Sequence, residues 1–441
     1  MIRYVGLDVH KRVVEACILD AAGQVLARRR FELSRERLLA FAEVALTRDD
    51  RLALEATTNT WAVVRLLQAY VAHVVVSNPL QTKAIATAKI KTDKVDALVL
   101  AQLLRCDYLP RVWEPDEPTQ RLRRLTHRRA SLVADRTGVK NRLHAVLAMR
   151  LLVPPVDDLF SQKGRAWLQA VPLDAEGRAA LDSDCRLLTR LEEEIGTLEQ
   201  LLAQEAYADD RVRLLMTLPG VDFTVAQTVL AALGDVSRFR DADQAAAYLG
   251  LVPSTKQSAT HCHHGPITKH GNGHARWVLV QAAQHVGKHP GPLGVFFRRL
   301  LKRKNRNVAV VATARKLVRI AWHMLKKNEP YRYAQPRPTQ AKLSRLRIRA
   351  TGQKRRGGTP RGQKRSANYG SGRQTRTLKP LAELLRDEGL PPPGPAPAGE
   401  ARTVAESNTA AYVQSLSEAQ VIPKRRRQPA AAHDGEPSAE A

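Results

Sequence analysis

The order of apolar runs over the first 77 residues constrains this fold more than any other feature. Residues 3–9, 13–19 and 25–33 read as three successive strands, and Asp20-Ala21-Ala22-Gly23 is a hairpin turn between the last two. A helix over 34–47, an apolar strand at 51–55, a helix from Thr60 to Tyr70 and a buried strand at 73–77 follow, the last ended by Asn78-Pro79. A long helical stretch then covers about 80–105. Three strands first, then alternation with helices, predict a mixed α/β sheet.

Carboxylates mark this sheet. Asp8 stands at the end of the first run, in Tyr4-Val5-Gly6-Leu7-Asp8, and Glu55 closes Leu52-Ala53-Leu54-Glu55. In Lys91-Thr92-Asp93-Lys94-Val95-Asp96-Ala97, the spacing of Asp93 and Asp96 puts both on one face of a helix. Singly, each acid has an ordinary reading as a strand cap or a solvated helix start. Val95, Leu98, Val99 and Leu103 turn that helix inward, however, so the pair belongs near the sheet edge. Four acids on two strands and one helix are what two-metal phosphoryl transfer needs, with ions about 4 Å apart on the attacking and leaving oxygens. Hard oxygen ligands favour Mg²⁺ or Mn²⁺ over zinc.

The charge balance names the kind of partner. The 441 residues carry a formal net charge of +28, the footprint of a polyanion partner. No apolar run of 18 or more residues appears and no signal peptide opens the chain, so nucleic acid is expected over a membrane as the partner, and a cytoplasmic protein is expected. Cys17, Cys106, Cys185 and Cys262 lie far apart with no CxxC, which argues for buried thiols over disulfides. Aromatic residues make up 5%, so phosphate contacts should outweigh base stacking.

Four segments are expected. Residues 1–116 hold the acid-bearing sheet. Residues 117–210 are a helical hairpin or coiled-coil spacer, with apolar spacing in Leu122, Leu125, Leu132, Val139, Leu143 and Val146 and again in Leu187, Leu188, Leu191, Ile195, Leu198 and Leu201. Pro154-Pro155 breaks the two apart. Residues 211–335 form a mainly helical unit, in which Leu218-Pro219-Gly220-Val221 resembles a helix–hairpin–helix turn that offers backbone N–H groups to a phosphate. Residues 336–441 read as a disordered basic tail with at most a short helix near 380–388. Trimming such a tail should flatten the salt dependence of polyanion binding and leave the activity intact.

The motifs together resemble the IS110 family of transposases, also described as bridge-RNA-guided recombinases. Asp8, Glu55, Asp93 and Asp96 match that family's RuvC-like DEDD acids. The LPGV turn, Tyr248-Leu249-Gly250-Leu251-Val252-Pro253, and Ile267-Thr268-Lys269-His270-Gly271-Asn272 match its C-terminal domain, and the resemblance covers about residues 1–330. It implies a ribonuclease-H-like (RuvC-like) first domain and a serine nucleophile that maps onto Ser258, with Ser254 the rival hydroxyl. It also implies double-stranded DNA substrates at element ends and target, a bridge RNA, and a homo-oligomer, dimer or tetramer. Lys256, Lys269, His270 and Arg276 would supply positive charge beside the serine, and Gly220 the phosphate-facing turn. His261, Cys262, His263 and His264 could suggest zinc, but adjacent ligands rarely fit one tetrahedron. Phosphate or RNA contact, or assistance to Ser258, is the better expectation.

The reading is a DNA recombinase that cuts and rejoins. Two others stay open: a Holliday-junction-type nuclease that uses only the acids and water, and a catalytically decayed nucleic-acid-binding protein.

Overall fold

A computed structural model describes residues 2–85, 93–258, 261–353 and 375–423, and it divides the chain into two compact units, Met1–Asp116 and Glu117–Ala441. The first unit runs β1 (Tyr4–Val9), β2 (Val13–Leu19), β3 (Val25–Glu32), α1 (Arg35–Ala45), β4 (Arg51–Glu55), α2 (Thr60–Leu67), β5 (His73–Ser77), α3 (Pro79–Ile85) and α4 (Asp93–Arg105). The five strands form one sheet in the order β3-β2-β1-β4-β5. The first three pair antiparallel as hairpins, while β1, β4 and β5 are parallel. This is the mixed α/β sheet expected from the order of runs.

Alternation along the strands sorts the two faces. Val5, Leu7, Val9, Leu52 and Leu54 face one way and pack with Leu38, Phe41, Val63, Val64 and Leu67 of α1 and α2. Cys17 and Leu19 face the other way and pack with Ala97 and Ala101 of α4. Ala53, on that same second face, packs with Leu100 and Leu104. The edge strand β3 is mostly exposed and carries Arg28, Arg29 and Arg30, charges that discourage another chain from pairing there.

One contact decides how close α4 comes. A Cβ at position 6 would lie 2.0 Å from the Ala97 carbonyl oxygen and 2.7 Å from the Ala101 nitrogen. Only glycine lets the helix backbone rest on β1.

The second unit is mainly helical: α5 (Glu117–Ala148), α6 (Gln162–Ala170), α7 (Ala175–Ala208), α8 (Asp210–Leu215), α9 (Phe223–Leu233) and α10 (Ala242–Tyr248) precede a two-stranded hairpin of β6 (Pro253–Ser258) and β7 (His261–Ile267). Then come α11 (Gly273–Gln284), α12 (Pro292–Leu301), α13 (Arg306–Lys327), α14 (Pro336–Thr351), β8 (Thr375–Leu378), α15 (Leu381–Asp387), α16 (Ala398–Glu406), α17 (Ala410–Ser415) and β9 (Gln420–Pro423). The long helices α5 and α7 lie side by side. Ion pairs Arg121–Glu205, Arg129–Glu199 and Arg142–Asp184 descend along α7 as they climb α5, and Arg150–Asp174 continues the series just past the helix ends, which makes the pair antiparallel. The large buried side chains of α7 are Leu181, Leu188, Ile195 and Leu202, a seven-residue repeat, whereas Leu187 and Leu201 point outward.

The expectation of disorder beyond 336 needs correction over the described part. Helix α14 buries Leu343 and Leu346, and Leu381, Leu385, Leu390 and Leu416 join the same core as α9, α11 and α13. Arg347 and Glu388, each about nine-tenths buried, pair at 3.6 Å. The segment is too poor in apolar residues to build a core of its own, but it needs only to complete a neighbour's. The basic clusters Lys354-Arg355-Arg356 and Lys424–Arg427 lie outside the described residues.

Two outcomes follow from this packing. Gly6→Ala should destabilise the first unit by about 1–3 kcal/mol or more in chemical denaturation, because backbone rather than a flexible side chain must move. An unchanged midpoint would show that α4 does not rest on β1. Deleting residues 336–441 removes at least four buried leucines, each contributing about 1.5–3 kcal/mol, against a typical domain stability of about 5–15 kcal/mol. The second unit of the truncated chain should lose its cooperative melting transition, and an unshifted melting temperature for that unit would contradict the packing.

Candidate active site

Asp8 and Glu55 come together because β1 and β4 are parallel and in register. The last registered pair is Leu7 with Leu54, so Asp8 and Glu55 are the next residues on neighbouring strands, which are spaced about 4.8 Å apart. Both fall on the α4 face, as Gly6 and Ala53 do two residues earlier. Asp96 is brought to that face by the Gly6 contact, since it immediately precedes Ala97. Asp8 is 15% exposed and its Oδ2 lies 3.0 Å from His10 Nε2. The side chain of Asp93 lies outside the described residues, although its backbone opens α4.

Among the described residues, no three His, Cys, Asp or Glu side chains are gathered tightly enough to hold a metal ion. Asp8 and Glu55 stand side by side on one sheet face, with Asp96 on the helix that covers it. Their donors are all oxygen, which fits a hard divalent ion, and Asp8, Glu55 and Asp96 are the described side chains that would hold it.

In the second unit, β6 and β7 pair antiparallel, with Ser258 opposite His261, Lys256 opposite His263, Gln257 opposite Cys262 and Thr255 opposite His264. Opposed residues share a face and faces alternate. Ser258, His261, Lys256 and His263 therefore line one face, and all are exposed. On the other face Thr255 Oγ1 lies 3.0 Å from His264 Nδ1, and Cys262 Sγ lies 3.8 Å from His264 Nε2. The rival hydroxyl is placed differently. Ser254 sits at the half-buried base of the hairpin, where a Cβ on Gly265 would come within 2.6 Å of its Oγ. Ala259 and Thr260, beyond Ser258, lie outside the described residues.

The other residues picked from sequence divide into two sets. Lys256, Lys269 and His270 are exposed. Arg276 is instead tied to backbone: its Nη1 donates to the Leu249 carbonyl at 3.0 Å and to the His270 carbonyl at 2.7 Å. It holds the Tyr248–Gly250 turn against the Lys269–Gly271 loop, whose glycines leave room for the facing carbonyls. Gly220 has φ +74°, and a Cβ there would lie 2.3 Å from the Ala282 carbonyl oxygen, so the turn is pressed onto α11. The N-terminus of α9 already has an acceptor, since the Asp222 carboxylate takes the Val225 N–H at 2.9 Å. Sequence reasoning missed Lys342. Its ammonium donates to the Leu218 and Val221 carbonyls at 2.6 and 2.9 Å, and burial pushes it down to about 7 despite nearby Asp222. Its only sequence signal was a lone lysine in a segment read as tail.

A mixed five-stranded sheet carrying acids on adjacent parallel strands and on the helix laid across them defines a DEDD-type nucleic-acid-processing unit, and that family implies a ribonuclease-H-like fold and a divalent-metal requirement. A family model for DEDD transposases of IS110 type matches residues 5–149, and one for the IS116/IS110/IS902 transposase family matches residues 212–294, together just over half of the chain. The chain belongs to the IS110 family of transposases and is a DNA-recombining enzyme. The transposase of insertion sequence element IS1111A from Coxiella burnetii is 26% identical, over 75% of this chain and 92% of its own length. The pilin gene-inverting protein of Moraxella bovis is 26% identical, over 74% of this chain and 97% of its own. The transposase of IS1328 from Yersinia enterocolitica is 26% identical, over 72% and 95%. Among the described residues, no helix is long and apolar enough to cross a membrane.

Proposed function

We propose that this transposase cuts and rejoins double-stranded DNA through Ser258, with Asp8, Glu55, Asp93 and Asp96 as the metal-holding half of the site. The reading rests above all on the pairing of Ser258 with His261 at the exposed end of the hairpin. Ser258 Oγ attacks the scissile phosphorus, an Oγ–P bond forms, the P–O3′ bond breaks, and a 3′-hydroxyl leaves. His261, across the hairpin, accepts the serine proton and returns one to the leaving oxygen. Lys256, on the same face, favours the charge that develops on the phosphorane. A partner strand's 3′-hydroxyl then attacks the same phosphorus and releases Ser258. One phosphodiester is exchanged for another, so no external energy source is needed.

Mg²⁺ or Mn²⁺, when bound, would stabilise the attacking and leaving oxygens. Asp8, Glu55, Asp93 and Asp96 would hold it and, as expected of an oligomer, those of one protomer would serve the serine of another. The name of the Moraxella relative, which inverts a gene, supports rejoining over simple cutting. The family resemblance brings in a noncoding bridge RNA, held by its backbone while base pairing selects the sites, and the net charge of +28 suits either nucleic acid.

A denaturing gel tests the chemistry. Wild type with Mn²⁺ should yield a protein–DNA adduct, Ser258→Ala none, and Asp8→Asn at least about 100-fold less, in line with loss of a principal catalytic group. His261→Gln should slow adduct formation by about 10²–10⁴-fold, as expected for loss of a general acid–base group. Cleavage that survives Ser258→Ala without an adduct would establish the water-using nuclease instead. For the RNA, a transcript of the DNA flanking the gene should redirect exchange when its loops are rewritten. Exchange indifferent to that transcript would remove the RNA from the reading.

A further inference from the structure

The acids of this chain are unevenly placed. From Gln244 to Asn328 there is no Asp or Glu, while the same 85 residues hold fifteen Lys and Arg and eight of the thirteen His. The stretch runs from α10 through the serine hairpin to the end of α13. Its densest point is the corner between α12 and α13, Arg298-Arg299-Leu300-Leu301-Lys302-Arg303-Lys304-Asn305-Arg306.

Packing explains why those cations face outward. Helix α12 buries Leu293, Gly294 and Phe297, and a Cβ at Gly294 would lie 1.8 Å from the His289 carbonyl oxygen. That contact clamps one side of α12 to the core and turns the other to solvent. Arg298 is partly used, donating to the Gly287 and His289 carbonyls. Arg299, Lys302, Arg303, Lys304 and Arg306 are all exposed, and none has an acid partner among the described residues. Helix α13 starts in place beside them, because Asn305 accepts the Val308 N–H at 2.9 Å. Elsewhere in this chain exposed arginines are commonly paired, as along α5 and α7. Five cations clustered on a capped corner, with no acid within the segment to neutralise them, repel one another until a polyanion arrives.

We infer that the α12–α13 corner is an anchoring surface for the phosphate backbone of duplex DNA, separate from the serine hairpin. The inference rests on the DNA-recombining reading and deepens it by naming where the substrate is gripped. A rigid corner of Arg and Lys with few aromatic neighbours suits backbone contact and not base reading, so it would hold any sequence.

The test compares Lys302→Gln/Arg303→Gln/Lys304→Gln with a control of equal charge change in the first unit, Arg35→Gln/Arg37→Gln/Arg48→Gln. All six side chains are exposed, and melting curves check that both variants stay folded. Affinity for a short duplex of arbitrary sequence is measured between about 50 and 200 mM salt. The corner variant should lower the slope of log K against log salt by roughly 2 to 3, at about 0.9 per phosphate released, while the control lowers it by less than about 1. An unchanged slope, an equal fall in the control, or a loss seen with a structured RNA hairpin but not with the duplex would overturn the inference. The adduct gel run on the same proteins separates the two readings. If wild type forms the Ser258 adduct while the corner slope is unchanged, the surface assignment fails alone. If the slope falls but wild type never forms the adduct, the surface stands and the serine chemistry fails.

Discussion

The site in the first unit depends on how closely α4 can approach β1. That distance is set at Gly6, where any side chain would collide with the Ala97 and Ala101 backbone. Because Gly6 and Asp8 share a strand face, the contact that seats the helix also brings Asp96 to the face that carries Asp8 and Glu55. Filling this space with even a methyl group would cost both stability and the placement of the carboxylates. The acids stand where parallel strands end, the usual place for ligands in open α/β sheets, and here the helix rather than a loop supplies the remaining acids.

The second unit applies the same device elsewhere. Gly220 lets its turn press on α11, Gly250 and Gly271 let two loops meet under Arg276, and Gly294 lets α12 lie on the His289 carbonyl. Each close contact fixes an exposed polar element on a rigid support: the serine hairpin in one case, the basic corner in another. A two-stranded ribbon is marginally stable alone and needs such support from the core below it.

Much of this was legible in sequence, for physical reasons. Strand alternation and the hairpin turn specified the sheet, because burial on two faces leaves a clear pattern in Val5, Leu7, Leu52 and Leu54. The acids were legible as polar residues in apolar runs. The helix pair was legible, but its seam was not fully so: Leu187 and Leu188 are adjacent, and only packing decides that Leu188 goes inward. Lys342, and the backbone-tying bonds of Arg276, could not be read, because bonds to distant carbonyls leave no local pattern. Residues 336–353 and 375–423 were misread because composition tests whether a segment can fold alone, whereas Leu343, Leu346, Leu381 and Leu385 finish a core begun elsewhere.

The central claim is that strand exchange passes through a phosphoserine and not through one direct displacement. The stereochemical course at phosphorus tests it most directly. With a single chiral phosphorothioate at the crossover, two successive in-line displacements, first by Ser258 and then by a 3′-hydroxyl, return the original configuration. Retention in the exchanged product is the predicted result. Inversion would mean a single metal-assisted step with no covalent enzyme intermediate, and would contradict the account.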